Sequence, residues 1–356
     1  MARFIDIHVL QYLPISCVNR DDAGMPKTVT ISGVRRARWS SQSQKSIVRG
    51  RMRELLPAAD LSTRTRLLPQ LVLEELIGRG VEASEARKLV TAQVQNPLLK
   101  GAGAEDEGAA EDDSSDLATK VLLSIPHGSV ARIADAIAAG EKLNKDTLGE
   151  KLDRDTLDVA LFGRFIASLS QRTDGAVSVA HAVGTSADGF TSEWWTSIDD
   201  EKVVRGGDRV GGMGSQGLTS GVLYRYATVD LDELARNAES AGIDADRTES
   251  LIRLFLEEFS LLRPEAMKRS TAPMTDPALV RLDVTERPRS LVTAFTEPVH
   301  GADVVAESVR RLHAHAEATD EAYGAPLATA HSSTVEGFEG STLNEAISRT
   351  ISAARG

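Results

Sequence analysis

Two insertions interrupt a simple alternation of strands and helices along this sequence. Residues 60–160 carry almost only helical signals, and residues 191–221 are rich in glycine and polar side chains. The second stretch is too long for a turn and is typical of a long hairpin or arm. Without both stretches, the order strand, helix, strand, strand, helix, strand remains. This order predicts an α+β fold with a ferredoxin-like or RRM-like sheet.

Alternation of apolar and polar residues carries the strand predictions. In residues 3–10, Ile5, Ile7 and Val9 fall on one side, which predicts a strand with one buried face. Further extended segments are predicted at 28–39, 175–183, 222–231 and 278–284.

The helix predictions rest on residues that cap helix starts and on prolines that end helices. Ser40 or Ser41 should begin a helix that runs to about Leu56 and ends before Pro57. Further helices are predicted at 62–77, with Ser62 as its cap, from 84 to before Pro97, and at 117–125, 128–139, 155–170, 246–263, 301–318 and 342–354.

The composition is that of a globular protein. Apolar residues make up 41% of the 356 residues, which suits one large domain with insertions or two ordinary domains. No apolar run reaches the roughly 18 residues of a membrane span. The amino-terminal residues lack a signal-peptide core, and Cys17 is the only cysteine. We therefore expect a cytoplasmic protein without an internal disulfide.

The net charge of −11 conceals an uneven distribution. Residues 101–116 contain seven acids and no base, which leaves −4 for the rest of the chain. Eight bases and no acid lie between Lys27 and Arg53. Because salt screens charges beyond about 8 Å, a phosphate chain responds to the local field. The acidic run itself has no periodicity and is predicted to form a poorly ordered loop that is dispensable for binding such a phosphate chain.

The basic segment has the side chains that phosphate binding requires. In an extended piece, Arg36 and Arg38 point to one side, and Arg35 points to the other. Residues 40–43, Ser-Ser-Gln-Ser, then open a helix whose amino-terminal N–H groups favour an anion. Lys45 and Arg49 are four residues apart and share a helix face. The alternative is a solvated basic face that pairs with the acidic run.

Other chemistries find little support. Aromatic residues are only 4% of the chain, which favours a grip on the backbone over stacking on bases, although Trp194 or Trp195 could stack. The glycine-rich arm lacks a P-loop ending. The histidines have no metal-ligand spacing, and no metal or cofactor is predicted. Asp21 and Asp22 could hold Mg²⁺ for hydrolysis, but solvation or a turn cap is favoured.

Several segments together resemble one family. They are FIDIHVL (4–10), SCVNRDDAGMPK (16–27), GVRRARWSSQSQKSIVR (33–49), DVALFGRFIAS (158–168), DGAVSVAHAV (174–183), EWWTSIDD (193–200) and GSQGLTSGVLYRYATVDL (214–231). In this order they are similar to the CasC (Cse-type) family, the repeated backbone subunit of the type I-E CRISPR Cascade complex. The match covers most of residues 1–230 and continues weakly to about 300.

The resemblance implies a fold described as a right hand. The palm, an RRM-like sheet, would comprise residues 1–59, 159–191 and 221–356, the last with carboxy-terminal helices. Helical fingers would occupy 60–158, and a hairpin thumb 192–220. Several copies would line up as a helical filament on one guide RNA (crRNA), and thumbs would interrupt its pairing with target DNA. Other Cascade subunits and a recruited helicase-nuclease would be further partners in antiviral defence. The chain itself would not be an enzyme.

Candidate RNA-binding residues follow from the basic segment and from the resemblance. The set comprises Arg20, Lys27, Arg35, Arg36, Arg38, Ser40, Ser41, Gln42, Lys45, Arg49, Arg164, Met213, Ser215, Gln216, Lys268 and Arg269. In the fingers, Lys142, Lys145 and Lys151 are possible contacts to duplex DNA. Two other hypotheses stay open: a metal-dependent ribonuclease of the type III backbone kind that uses Asp21 or Asp22, and a scaffold that binds only proteins.

Overall fold

The computed structural model describes residues 3–99, 117–152, 155–166, 169, 171–207 and 209–355. The acidic run predicted to form a loop therefore lies outside the described residues. The chain divides into two compact units. The palm unit comprises Met1–Arg51, Ser178–Asp230 and Ile252–Gly356, and the helical unit comprises Met52–Val177 and Leu231–Leu251.

The described strands mix short and long elements. They are β1 (Phe4–Ser16), β2 (Thr28–Ile31), β3 (Val34–Trp39), β4 (Ser62–Thr65), β5 (Leu123–Pro126), β6 (Arg164–Ile166), β7 (Gln171–Thr173), β8 (Val177–Val179), β9 (Ala182–Gly184), β10 (Thr191–Ile198), β11 (Val210–Asp230), β12 (Leu279–Thr285) and β13 (Ala328–Ser333).

The described α-helices are α1 (Ser41–Leu55), α2 (Leu68–Gly78), α3 (Ala83–Val90), α4 (Asn96–Leu99), α5 (Ser129–Ala138), α6 (Lys145–Leu152), α7 (Leu157–Phe162), α8 (Asp200–Val204), α9 (Leu231–Ser240), α10 (Ala245–Ser260), α11 (Lys268–Thr271), α12 (Val304–Tyr323) and α13 (Leu343–Arg355). Short 3₁₀ turns occur at Ala58–Asp60 and Val292–Phe295, and a π-helical turn at Thr91–Gln95 joins α3 to α4. None of the described helices is long and apolar enough to cross a membrane.

A curled antiparallel sheet is the framework of the palm unit, and the mixed α+β prediction is confirmed. Its strand order is β13-β12-β1-β11-β9-β3-β2, and β10 and β8 pair with β11 beside this path. The predicted arm forms a hairpin, because β10 pairs antiparallel with the first half of β11 from Thr191↔Leu218 to Ile198↔Val210. The predicted extended piece 28–39 is two strands, because Ser32 and Gly33 turn the chain with φ of 48° and 77°.

Both faces of β1 are buried, so the prediction of one buried face was wrong. Ile5 and Ile7 have no exposed surface on one side, and Asp6 and His8 are each 1% exposed on the other. The polar side of β1 faces an apolar core that contains Leu10, Tyr226 and, from helix α12, Leu312. This core covers the polar side of the strand. Alternation identified the strand but could not show that its polar face is covered too.

The polar side chains of this covered face form a buried polar layer, defined here as Asp6, His8, Tyr226, Arg281 and Asp283. His8 Nε2 lies 3.5 Å from Asp283 Oδ2, and Arg281 Nε donates to both Asp283 oxygens at 2.9 and 3.0 Å. The Tyr226 hydroxyl donates to Asp6 Oδ1 at 2.9 Å. Buried charges are tolerated when they are paired in this way.

The helical unit has its own apolar core, which includes Leu68, Leu76, Leu123 and Ile133. Two predicted helices inside it differ from the structure. The one predicted at 62–77 begins as strand β4 and becomes helical only at Leu68, in α2. The segment predicted as a helix at 117–125 is not helical and ends in β5, the antiparallel partner of β4. Short apolar runs fit a strand or a helix equally well, and only the pairing partner decides between them.

Ser62, the expected helix cap, shows why the chain is extended there. Its N–H and its hydroxyl donate to the two carboxylate oxygens of Asp158, at 2.8 and 2.6 Å. Asp158 is buried and 96 residues away in the sequence. The capping side chain is thus bound to a distant carboxylate instead of to its own helix.

Candidate nucleic-acid interface

The start of helix α1 is held in place from two sides. Ser40 Oγ accepts from the Ser43 N–H at 3.3 Å and so caps the helix. The Ser40 N–H donates to Asn19 Oδ1 at 3.1 Å, and the Ser41 N–H donates to His181 Nδ1 at 3.2 Å. The amino-terminal loop and the β9 side of the sheet therefore fix a helix N-terminus, a position that favours anions.

Two cations are fastened next to this helix start. The Lys27 N–H donates to the Asn19 carbonyl at 2.8 Å, and the Arg38 N–H donates to the Lys27 carbonyl at 2.9 Å. Arg38 Nη1 also lies 3.4 Å from His181 Nδ1. Their backbones are thus fixed while their charged ends stay at the surface.

The pKa of His181 reflects its burial and the positive charges beside the start of α1. Burial lowers the pKa of His181 below its usual range, and the charges of Arg38 and Lys27 lower this pKa further. The ring is therefore neutral near pH 7, and its Nδ1 lone pair accepts the Ser41 N–H, which leaves the proton on Nε2. Reasoning from the sequence interpreted His181 as packed or hydrogen-bonded and missed its place beside the helix start.

Lys45 and Arg49 lie one turn apart on α1, as their spacing predicts, and both are half-buried. Burial lowers the pKa of Lys45, and the nearby charge of Arg49 lowers it further. In the part of the chain that the structure describes, no carboxylate lies within ion-pair distance of Lys45. An incoming anion would relieve the repulsion between these two cations.

We call Lys27, Arg38, Ser40, Ser41, Lys45 and Arg49 the phosphate grip. Its cations and hydroxyls offer donors that phosphate oxygens accept, and the helix N-terminus adds the positive end of its dipole. Gln42, also predicted, is exposed in the first turn of α1.

The loop that carries Arg20 packs against the base of the hairpin. A side chain at Gly217 would come within 2.8 Å of both Met25 and Pro26, so only glycine lets this loop approach β11 so closely. Arg20 is exposed and pairs with Pro26 in an isolated β-bridge. Loop and hairpin base therefore form one continuous surface.

The hairpin residues and the second basic pair also meet. Met213 is 62% exposed, and Ser215 is exposed on the same strand, opposite Trp194. Gln216 Nε2 donates to the sulfur of Met267, the residue before α11, where Lys268 and Arg269 begin the helix. Arg269 is exposed, but Lys268 forms an ion pair with Glu265.

Two of the residues predicted to contact RNA have buried side chains. Arg36 has no exposed surface, and its guanidinium donates to the carbonyls of Gly184 and Thr185 at 3.1 and 3.0 Å. Arg164 is 5% exposed and forms an ion pair with Asp155 at 3.1 Å. Neither guanidinium can reach a phosphate from where it lies.

Arg35 is exposed but already has a partner. Its Nε lies 3.2 Å from Asp188 Oδ2, and its guanidinium lies 5.2 Å from the centre of the Phe190 ring. Arg35 is therefore neutralised by a carboxylate of the chain itself, although Asp188 lies outside the acidic run that the alternative invoked. In the fingers, Lys151 is likewise paired with Glu141 at 3.2 Å.

The aspartates considered for catalysis lie in a tight turn. Asp21 Oδ1 accepts from the N–H groups of Ala23 and Met25, at 3.0 and 2.9 Å, which is the geometry of a turn cap. Within the described ranges, no group of three or more histidine, cysteine or acidic side chains could hold a metal ion.

The fold and this surface define a class of protein, a mixed α+β chain with a basic, hydroxyl-bearing surface at the start of one helix. Comparison with known proteins specifies the family. The sequence model of the CT1975-like proteins, a family of Cas proteins, matches residues 5–353. The chain belongs to this family.

Two solved structures are similar to this chain over nearly its whole length. One chain, described as part of a "CRISPR RNA-guided surveillance complex, pre-nicking", has a TM-score of 0.81 and 30% identity, and the match covers 99% of this chain and 100% of that one. A chain described as part of a "CRISPR RNA-guided surveillance complex" has a TM-score of 0.73 and 28% identity, with 98% and 99% covered. No match was found among curated protein sequences.

Proposed function

We propose that this chain is the guide-RNA-binding backbone subunit of a type I-E Cascade complex. Successive copies line up along one crRNA and present it for pairing with target DNA. Lys45 carries the proposal, because this half-buried cation has no carboxylate partner among the described residues and lies beside a second cation, Arg49. The family membership and the similarity to two RNA-guided surveillance complexes support it.

In this proposal each part of the surface has a task. The phosphate grip holds the guide backbone, and the exposed Met213 and Ser215 of the hairpin meet the strand as a thumb would. The order β12-β1-β11-β9 at the middle of the sheet suits an RRM-like palm. Other Cascade subunits, target DNA and a recruited helicase-nuclease are the expected partners.

We propose no catalytic role for the chain. The Asp21 carboxylate accepts two backbone N–H groups, which gives it a structural task in its turn. Incubation of the guide-bound complex with Mg²⁺ and labelled complementary RNA checks this proposal. Cleavage that disappears with Asp21→Ala or Asp22→Ala would replace it with the ribonuclease of the type III kind.

Salt dependence tests the phosphate grip. Single-stranded binding should weaken with a slope of about −0.7 per neutralised phosphate, so about four contacts per copy predict a log–log slope of about −3. The double change Lys45→Ala and Arg49→Ala should reduce affinity about 100-fold and bring the slope to about −1.5.

A matched control removes two cations that already have carboxylate partners in the palm unit. Arg51 pairs with Glu258 at 3.1 Å and Arg263 with Asp276 at 2.7 Å. The change Arg51→Ala with Arg263→Ala should leave the slope nearly unchanged. Equal slopes for both double variants would contradict the grip. Purification of the wild type without RNA, judged by the ratio of absorbance at 260 and 280 nm, would favour the protein-only scaffold.

A further inference from the structure

A second basic group lies in the helical unit, on the ladder between β4 and β5. The register pairs Arg64 with Ser124 and Thr65 with Leu123. Leu123 and Ile125 are buried in the core of this unit, at 1% and 3% exposure. Because paired residues of an antiparallel ladder project to the same side, Arg64 points to the opposite, outer side with Ser124. Arg64 is exposed, as this direction requires.

Arg66 and Lys120 extend this outer side beyond the end of the ladder. The Arg66 carbonyl accepts from the Thr119 N–H at 2.8 Å and from the Thr119 hydroxyl at 3.1 Å. The backbone of Arg66 is thereby tied to the residue that precedes Lys120, which is exposed. We call Arg64, Arg66 and Lys120 the outer strip.

The outer strip has no carboxylate partner among the residues that the structure describes. Other cations of the same unit do have one, such as Arg79 with Glu75 at 2.9 Å and Arg247 with Asp60 at 2.8 Å. The sequence provides part of the reason, because residues 61–73 and 117–134 contain no acid. Among the described residues, these three neighbouring cations therefore have no ion-pair partner, and Arg64 and Lys120 are exposed.

We propose that the outer strip is a second contact to a nucleic-acid phosphate backbone, separate from the phosphate grip of the palm unit. Alternate residues of a strand lie about 7 Å apart, so Arg64 and Arg66 meet successive charges of an extended polyanion better than one small anion. Arginine forks bind phosphate oxygens with paired N–H groups, and Ser124 adds a hydroxyl on the same side. This inference rests on the proposed function, because it assumes a chain that works on nucleic acid.

The assembled, guide-bound complex provides the test. The triple variant Arg64→Gln, Arg66→Gln and Lys120→Gln is compared with Lys88→Gln, Arg172→Gln and Arg236→Gln, which removes the same charge from exposed positions of the same unit. The probes are a duplex DNA complementary to the guide and the amount of guide RNA retained per complex. Both are measured between 50 and 200 mM salt.

We expect the outer-strip variant to lose at least tenfold in affinity for one of the two nucleic acids, with a shallower salt slope, while the control variant changes less than twofold. A loss confined to DNA assigns the strip to the target strand or duplex, and a loss of guide RNA assigns it to the guide. Equal behaviour of the two triple variants overturns the inference, yet leaves the proposed function standing if the complex retains its RNA.

The double variant Arg64→Lys with Arg66→Lys distinguishes a loss of charge from a loss of folding. This variant keeps the charge and should keep most of the affinity, whereas a structural role of the guanidinium groups would lower the melting temperature of both variants together. Loss of binding that follows the melting temperature instead of the charge would also overturn the inference. A wild-type complex that holds no RNA at all would disprove the proposed function itself.

Discussion

Charged side chains have opposite surroundings in the buried polar layer and in the phosphate grip, although both belong to the palm unit. In the layer, Asp283 accepts two hydrogen bonds from Arg281 and lies beside His8. In the grip, Lys45 lies beside the cation Arg49, and no described carboxylate pairs with Lys45. Charges that the protein neutralises itself serve stability, and charges that it leaves uncompensated serve binding. The predictions below test this division.

The largest effect is expected at Arg36, a basic-segment residue that belongs to the interior. Its guanidinium bonds the carbonyls of Gly184, Thr185 and Thr296, at 3.1, 3.0 and 3.3 Å. Arg36→Met leaves these buried acceptors without donors, so the free energy of unfolding should fall by about 3–5 kcal/mol. Urea denaturation measures this change. A variant as stable as the wild type would show that the buried guanidinium is dispensable.

Asp283 should show the next largest effect, and a pH dependence. Burial raises its pKa, but hydrogen bonds and charges from His8 and Arg281 outweigh burial and bring the pKa down to about 2, below its usual value of 3.8. The carboxylate therefore contributes about 2 kcal/mol above pH 5, which is lost as the pH falls towards 2. Asp283→Asn should cost this amount at pH 7 and about half of it at pH 3, as measured by urea denaturation.

Asp6 should show the opposite dependence of stability on pH and therefore serves as a control for Asp283. Burial raises the pKa of Asp6, so its stabilising contribution is lost as the pH rises through this pKa. Asp6→Asn should therefore cost less stability at pH 7 than at pH 4. The same pH trend for both variants would mean that the layer does not act through these carboxylates.

Arg38 lies two residues after Arg36 and should behave in the opposite way. Arg38 is half-buried at the surface of the grip and contacts His181. Arg38→Met should change the free energy of unfolding by less than about 0.5 kcal/mol and weaken guide binding about tenfold. Filter binding and urea denaturation on the same preparation separate the two effects. A stability loss as large as that of Arg36→Met would remove the distinction between the two regions.

The smallest effect is expected from the acidic run. Deletion of residues 102–115 removes most of the seven acids of this run. If the charges near the basic segment determine guide affinity, and not the net charge of the chain, this affinity should change less than about twofold at physiological salt. The reason is that charges beyond about 8 Å are screened. Filter binding between 50 and 200 mM salt measures this change. A large gain in affinity would show that the run competes with RNA for the basic surface.

Parts of the fold and the site could be predicted because they depend on neighbours in the sequence. Helix α1 was predicted within one residue at each end, since its cap and its stop are local. The spacing of Lys45 and Arg49 likewise placed both on one helix face. Strands β4, β5 and β13 were missed, because each depends on a partner far along the chain.

The sequence alone therefore determined where the cations concentrate, which helix start lies beside them and that the strands form a mixed α+β fold. Only the tertiary structure decided which of these cations face outward. Alternation puts Arg36 and Arg38 on one side of β3, yet carbonyls from residues 184, 185, 295 and 296 cover only Arg36. A local pattern fixes the direction in which a side chain points, whereas distant segments of the chain determine what covers it.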